Sequence, residues 1–423
     1  MKKIIALLMI VCITMGLTAC GKAEPTEATK KPSSSKPTAT TPSQIVAPTT
    51  VATTGNPECQ HTFAEDAWQV VQVSTCKDAG YQARTCQNCA YTEQQELPLG
   101  DHSYSGGKCT VCGDTISASQ GLVFVSEYSS NQWVYYFMNM GTCTDTEVIV
   151  PATHKTEEGE YPVVGIGTFA SFNENVTQIT FLSPIYNMPT YFFGKYAALE
   201  KVVFAEGQQE IYEGSFSDST SVKEVIIPST VTEIGKHAFS KATALESIVL
   251  PAGVQLVNEK AFNGCSSLKK VTLSEGLLRI GERAFQDCTA LEAIYMPNTV
   301  VNVDGYAFYG CSNLTTIVFS QNVTAIPSFA CGGAKNLTNV TLGDKVTRIN
   351  TCAFTNCFVL EEINLPATVT FIGKSAFSGC MKLSTINFAG TMEQWKAIDL
   401  GADWNKYCTA TVVHCADGDV PLT

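Results

Sequence analysis

Residues 245–251 read LESIVLP, and residues 261–265 of the same repeat read AFNGC. In the first segment Ile248 and Leu250, the third and fifth residues after Leu245, are apolar and two positions apart, which is the pattern of a short strand with one buried face. This pattern returns at every 23rd residue, and its first apolar residue stands at Val176, Leu199, Val222, Leu245, Leu268, Leu291, Leu314, Leu337, Leu360 and Leu383. A fixed period of this length predicts a solenoid of stacked coils, which we assign to residues 171–389.

Two further columns of identical residues recur with the same period. One column is phenylalanine, at Phe216, Phe239, Phe262, Phe285, Phe308, Phe354 and Phe377. The other is cysteine, at Cys265, Cys288, Cys311, Cys357 and Cys380. Identical residues at one register indicate identical packing, so we interpret these thiols as buried core. In one coil Cys331 replaces the phenylalanine, Phe329 lies two residues early and Ala334 replaces the cysteine, so we expect different packing there.

This repeat closely resembles the BspA-like leucine-rich repeats of bacterial surface proteins, over more than half of the chain. Residues 141–151 and 161–166 are similar to the degenerate first coil of that family, so we interpret residues 120–170 as an N-terminal capping region. The fold class expected is therefore mostly β, a leucine-rich repeat solenoid with parallel strands. The resemblance also implies a role in adhesion and in binding other proteins.

The outward-facing residues of the repeated strands form a candidate binding face. In each strand, the residue between the last two apolar positions points away from the core. In six consecutive coils this position is mostly apolar, and contiguous apolar surface often marks an interaction site. The alternative is that β-branched residues simply suit exposed strands. The predicted binding face consists of Val203, Ile226, Val249, Thr272, Tyr295 and Val318.

The N-terminus has the features of an export signal followed by a membrane anchor. Lys2 and Lys3 precede an apolar stretch that ends in small residues, so we interpret residues 1–19 as a signal peptide. Residues 17–20, LTAC, resemble the lipobox of bacterial lipoproteins, which implies lipid on the sulfur of Cys20. Residues 20–57 are rich in Thr, Pro and Ser, which predicts a disordered linker. We therefore expect an exported protein, lipid-anchored to the bacterial membrane and exposed at the cell surface.

Residues 58–116 form a Cys/His-rich module with Cys59, His61, Cys76, Cys86, Cys89, His102, Cys109 and Cys112. Its two C-x-x-C pairs can each bring two sulfurs to one tetrahedral Zn²⁺. The accompanying histidines favour metal over disulfides, which are the alternative in an exported domain. We therefore predict a zinc-ribbon-like module with structural Zn²⁺ as its cofactor.

The spacing leaves two sets of zinc ligands open. One set has the spacing of a zinc ribbon and consists of Cys86, Cys89, Cys109 and Cys112. The other set divides the module into two sites, the first drawn from residues 61–89. The second site would use His102, Cys109 and Cys112, and Cys59 would supply its fourth ligand.

Residues 390–423 leave the repeat register and are interpreted as a C-terminal cap and tail. Thr391 and Gln394 have the spacing of a capping box, which predicts a short helix that covers the last coil. Cys408 and Cys415 lie close enough in sequence to pair, and the sequence leaves this pairing open.

Charge and motifs narrow the class of function. The chain has 39 acidic and 27 basic residues, a formal net charge of −12, which argues against nucleic acid as a partner. Neither a phosphate-binding loop nor the HExxH or GxSxG motif occurs. We therefore expect a monomeric binding protein with a protein ligand, and no enzyme. The alternative is a structural or accessory envelope protein that scaffolds a partner at the bacterial membrane.

Overall fold

The computed structural model describes residues 114–422 throughout and, upstream of them, six short strand segments. The first four segments pair antiparallel in the order β1-β4-β3-β2, and the last two form a hairpin. Their bounds are β1 Val51–Ala52, β2 Gln69–Gln72, β3 Tyr81–Thr85, β4 Thr92–Glu96, β5 Tyr104–Ser105 and β6 Lys108–Cys109.

A small mixed sheet covers the N-terminal end of the solenoid. Its strand order is β10-β11-β8-β7, and β8 and β11 run parallel while the other pairs are antiparallel. The Phe137 ring of this sheet stacks on Phe172 at 4.5 Å between ring centroids, which joins the sheet to the solenoid core. The strands of this region are β7 Val123–Ser129, β8 Gln132–Asn139, β9 Glu147–Val150, β10 Thr153–Lys155 and β11 Glu160–Ser171.

The front face of the solenoid is built from one short strand in each coil. These front strands pair in parallel and in register, so that Ile248 stands beside Val271 of the next coil, as the 23-residue period predicts. The pairing is interrupted twice, between Glu224–Ile226 and Ser247–Leu250 and between Asn339–Thr341 and Glu362–Leu365. Strand β9 pairs in parallel with the first of them. The front strands are Gln178–Phe181, Lys201–Val203, Glu224–Ile226, Ser247–Leu250, Lys270–Leu273, Ala293–Tyr295, Thr316–Val318, Asn339–Thr341, Glu362–Leu365, Thr385–Phe388 and Val412–Cys415.

A second row of two-residue strands follows the front strands within each coil. Its second residue is buried in all but the last of these strands, as in Ile234 and Ile280. The second-row strands are Glu210–Ile211, Glu233–Ile234, Leu256–Val257, Arg279–Ile280, Asn302–Val303, Ala325–Ile326, Arg348–Ile349, Phe371–Ile372 and Asp399–Leu400. A 3₁₀ turn, Phe193–Lys195, lies in an early coil.

The phenylalanine column stacks inside the third side of the coils. Consecutive rings are nearly parallel, with 4.9 Å between the centroids of Phe239 and Phe262 and 5.1 Å between those of Phe262 and Phe285. The backbone is held at the same place, because the amide of Phe262 donates to the carbonyl of Ala284 in the next coil at 2.7 Å. Burying each ring contributes about 2–3 kcal/mol, so this column is a major source of stability.

The cysteine column forms hydrogen bonds in addition to packing. The Cys265 thiol donates to the carbonyl of Phe239 in the preceding coil at 3.0 Å, and Cys288 donates to Phe262 at 3.1 Å. All five thiols of the column are fully buried, so the prediction that they belong to the core is confirmed. Burial raises the pKa of the Cys311 thiol, which keeps it protonated and available as a donor.

The coil with Cys331 interrupts the aromatic stack, as expected from its sequence. Cys331 and Ala334 are both fully buried and fill this level of the core with smaller side chains. Phe329 lies outside the stack, half-buried, and its ring stacks on Tyr306 at 4.5 Å. The Phe329 backbone is in the left-handed region (φ 56°), a conformation that a bulky residue rarely adopts.

The C-terminal cap closes the solenoid with a short helix, α1 Met392–Lys396, and the strand Gly418–Pro421. Thr391 and Gln394 form the predicted capping box, in which the Gln394 amide donates to Thr391 Oγ1 at 3.2 Å. The Phe377 amide donates to the Trp404 carbonyl at 2.7 Å, which puts Trp404 at the position of the alanine that precedes each phenylalanine. Its ring packs edge-on against Phe377, with 6.2 Å between ring centroids.

We predict that Phe262→Ala lowers the free energy of unfolding by about 3–5 kcal/mol, because it removes a fully buried ring and leaves a cavity between two neighbouring rings. Denaturant unfolding followed by circular dichroism measures this change. Phe329→Ala is the matched control, since the half-buried Phe329 lies outside the stack and should cost less. Equal losses for the two variants would contradict the structural role given to the stack.

Candidate functional site

The front row is the line of outward-facing side chains along the front strands. Parallel pairing in register places these residues side by side, with Val249 beside Thr272 and Tyr295 beside Val318. The row runs through Thr180, Val203, Ile226, Val249, Thr272, Tyr295, Val318, Thr341, Asn364, Asn387 and His414. Five of the six predicted face residues are at least partly accessible to solvent, and Val203 is the exception.

Val203 was predicted to belong to the exposed face, and this prediction is wrong. Its side chain is only 5% exposed. The preceding residue of the row, Thr180, is buried as well, at 2% exposed, so the cover extends over the first two coils of the row. The accessible part of the predicted face therefore begins at Ile226.

The centre of the front row is its apolar part. Val249 is 48% exposed, and Ile226, Thr272, Tyr295 and Val318 are each partly exposed. These five residues lie on five successive coils, so with strands about 4.8 Å apart the patch is about 19 Å long. Four of these residues, from Val249 to Val318, lie on one parallel sheet and reach solvent, which suits contact with a macromolecular surface better than enclosure of a small molecule.

The C-terminal end of the front row is polar. The Asn387 amide donates to Glu362 at 2.8 Å and to the side-chain oxygen of Asn364 at 2.9 Å. His414 Nδ1 and Asp419 Oδ1 are 2.8 Å apart, and Nδ1 is the donor in the tautomer that carries the proton on this nitrogen. A shallow depression of about 300 Å³ lies beside Asn364, Asn387 and His414. These groups offer hydrogen bonds at the margin of the apolar centre.

Cys415 also lines this depression, and its surroundings do not activate it as a nucleophile. Burial raises the pKa of the Cys415 thiol, and the carboxylates of Asp417 and Asp419 raise it further. A raised pKa keeps the thiol protonated, whereas nucleophilic cysteines need the thiolate. Cys408 donates to the carbonyl of Phe377 at 3.2 Å and so continues the thiol column; neither Cys408 nor Cys415 is in a disulfide.

Most of the predicted zinc ligands lie outside the described residues. These are Cys59, His61, Cys76, Cys86, Cys89, His102 and Cys112. Cys109 is described: it is buried at the end of the β5–β6 hairpin, and its amide donates to the Asp114 carbonyl at 2.7 Å. Within the described part of the chain, no group of three or more His, Cys, Asp and Glu side chains could hold a metal.

The predicted lipid-bearing Cys20 likewise lies outside the described residues. In the part of the chain that the structure describes, no helix has the length and apolar character needed to cross a bilayer.

An exposed apolar edge in the N-terminal sheet was missed by the sequence reasoning. Strand β7 exposes Val123, Val125 and Tyr128, and the facing strand β8 exposes Trp133. The signal was present, because residues 123–129 read VFVSEYS and the next two residues, SN, form a tight turn with positive φ at both positions. This segment lies outside the 23-residue repeats.

The repeats match the family model of the BspA type leucine rich repeat region in six copies, over residues 160–246, 232–359 and 325–398. These matches span more than half of the chain. The chain belongs to the BspA-type leucine-rich repeat family. The family match confirms the resemblance to BspA-like repeats that the repeat sequence indicated. No curated protein matches the chain.

Several solved structures of bacterial leucine-rich repeat proteins are similar to this member of the family. A leucine-rich repeat protein from Bacteroides ovatus shares 21% identity, over 70% of this chain and 92% of that chain, with a TM-score of 0.37. A leucine rich cell surface protein from Faecalibacterium prausnitzii shares 23% identity, over 68% and 98% of the two chains, with a TM-score of 0.35. The pneumococcal vaccine antigen PcpA shares 17% identity, over 74% and 89%, with a TM-score of 0.35.

Proposed function

We propose that this protein is a cell-surface lipoprotein whose front row binds another protein, in adhesion to host or microbial surfaces. The observation that carries this proposal is the partly exposed apolar patch from Ile226 to Val318, of which the residues from Val249 to Val318 lie on four paired parallel strands of one sheet. Membership of the BspA-type family supports a role in protein binding.

The distribution of side chains along the front row supports a protein partner. Protein interfaces have an apolar core with a more polar rim, where hydrogen bonds fix the orientation of the partner. Here the apolar residues are followed, coil by coil, by Thr341, Asn364 and Asn387, all of which reach solvent. Because the coils form a rigid stack, the protein would bind with little loss of conformational entropy of its own.

The double variant Val249→Lys, Val318→Lys should weaken binding to the partner by at least tenfold, since it places two charges in the apolar centre of the interface. Cells that display the variant are tested for adherence to extracellular matrix proteins and to other bacteria. The affinity of the purified variant for the protein captured in that assay is then measured. Both positions reach solvent, so circular dichroism should show an unchanged fold.

The matched control is Leu278→Lys, Val301→Lys, which adds the same charge at apolar positions that are 41% and 45% exposed and lie outside the front row. This control should bind like the unaltered protein. If both double variants lose binding equally, net charge and not the front row is responsible, and the proposal fails.

We infer that a lipid on Cys20 anchors the protein. The support is the LTAC sequence of residues 17–20 behind a positively charged and apolar leader. Cys20→Ala should release the protein from the membrane fraction into the medium, because two or more acyl chains are needed for stable anchoring. Immunoblots of cell fractions measure this, and retention of the variant in the membrane fraction would contradict the anchor.

We also propose that residues 58–116 hold structural Zn²⁺. The support is the two C-x-x-C pairs with accompanying histidines. Elemental analysis of the purified full chain should find zinc that a chelator removes, with a simultaneous gain of reactive thiols. A metal-free protein whose cysteines react only after reduction would establish disulfides instead.

A further inference from the structure

Strand β7 is the outermost strand of the N-terminal sheet. Among the described strands it pairs only with β8, so its other side carries main-chain donors and acceptors at the sheet edge. Its side chains are unusually accessible for apolar residues, with Val125 46% and Tyr128 59% exposed. Tyr128 and Trp133 face each other at the tip of the hairpin, with 5.3 Å between ring centroids.

This edge has few of the features that normally prevent strands from pairing with other molecules. Natural edge strands are commonly short, or carry proline, lysine or inward-pointing charge. Strand β7 is seven residues long, and its sequence VFVSEYS contains neither proline nor lysine. Its one charged residue is Glu127, and a bulge interrupts its pairing only at the Val123 end.

We propose that β7 is a dimerisation strand, which pairs antiparallel with β7 of a second copy of this chain. An antiparallel strand is its own complement, because a two-fold rotation places each donor opposite an acceptor of the identical strand. Two four-stranded sheets would then join into one continuous sheet across the symmetry axis. The proposal departs from the monomer expected from the sequence.

Charge selects the register of this pair. With Val125 opposite Val125 of the second copy, each Glu127 faces Val123, and the two carboxylates lie about 13 Å apart along the strands. This separation exceeds the Debye length at physiological ionic strength, about 8 Å, so the repulsion between the two carboxylates is largely screened. A pair centred on Glu127 would place the carboxylates directly opposite each other, which is unfavourable. The favoured register also brings the exposed valines of both copies together.

A second copy fits this edge better than an unrelated peptide for a reason of symmetry. Pairing with a second copy requires only that the strand is apolar and carries little charge. Specific recognition of a peptide also uses pockets that receive every second side chain of the peptide. The exposed positions of β7 present Val125, Ser126 and Tyr128 on an open surface. The front row is a separate surface built from other strands, so dimerisation through β7 does not use it.

The experiment is native mass spectrometry of the detergent-solubilised full chain at micromolar concentration. The unaltered protein should show the mass of two chains, and Val125→Lys should show the mass of one. Lysine on an edge strand opposes pairing, because the two-fold axis would place two ammonium groups opposite each other. Circular dichroism of the variant should match that of the unaltered protein.

Val249→Lys is the matched control, because it makes the same substitution at a strand residue that is 48% exposed, against 46% for Val125. It should remain dimeric. The proposal is overturned if the unaltered protein shows only the mass of one chain, whether the β7 edge is open or covered by the protein's own residues. It is also overturned if Val125→Lys remains a dimer, or if Val249→Lys disrupts the dimer as much as Val125→Lys does.

Discussion

Hydrogen bonds between equivalent residues of successive coils are the constraint on which the rest of the structure depends. The front strands pair residues 23 positions apart, and the amide of Phe262 reaches the carbonyl of Ala284 on another side of the same coils. Each coil buries its apolar residues only when its neighbours are present. Because three sides are fixed at once, every coil must have the same length, and the phenylalanine rings then stack at nearly constant spacing.

The candidate binding surface, the front row, results from this regular stacking of the coils. Each front strand displays one outward side chain per coil, so the chemistry of the row changes only with the sequence. It changes from apolar at Val249 to polar at Asn364 and Asn387, whose side chains are hydrogen-bonded to each other. The core can therefore remain constant while the row adapts to a partner, which is how a repeat fold separates stability from recognition.

Sequence reasoning succeeded where the period determined the answer. The strand register, the buried cysteine column, the interrupted coil at Cys331 and the capping box at Thr391 were all predicted, because each depends on local patterns repeated in identical surroundings. It failed at Val203, which is buried together with Thr180, since the exposure of a side chain depends on neighbours that are distant in sequence. It also missed the exposed β7 edge, because the partner of a strand is set by the tertiary fold.

Hydrogen exchange along the chain tests the central claim, that inter-coil hydrogen bonds, which are continuous on the phenylalanine side of the coils, support the whole solenoid. Mass spectrometry of deuterated peptides would follow the amides of the front strands and of the phenylalanine column. The account predicts slow exchange that recurs every 23 residues from Gln178 to Phe388, including the coil with Cys331, whose amide donates to the Ala353 carbonyl at 2.8 Å. A block of coils that exchanges as fast as unfolded chain would contradict it.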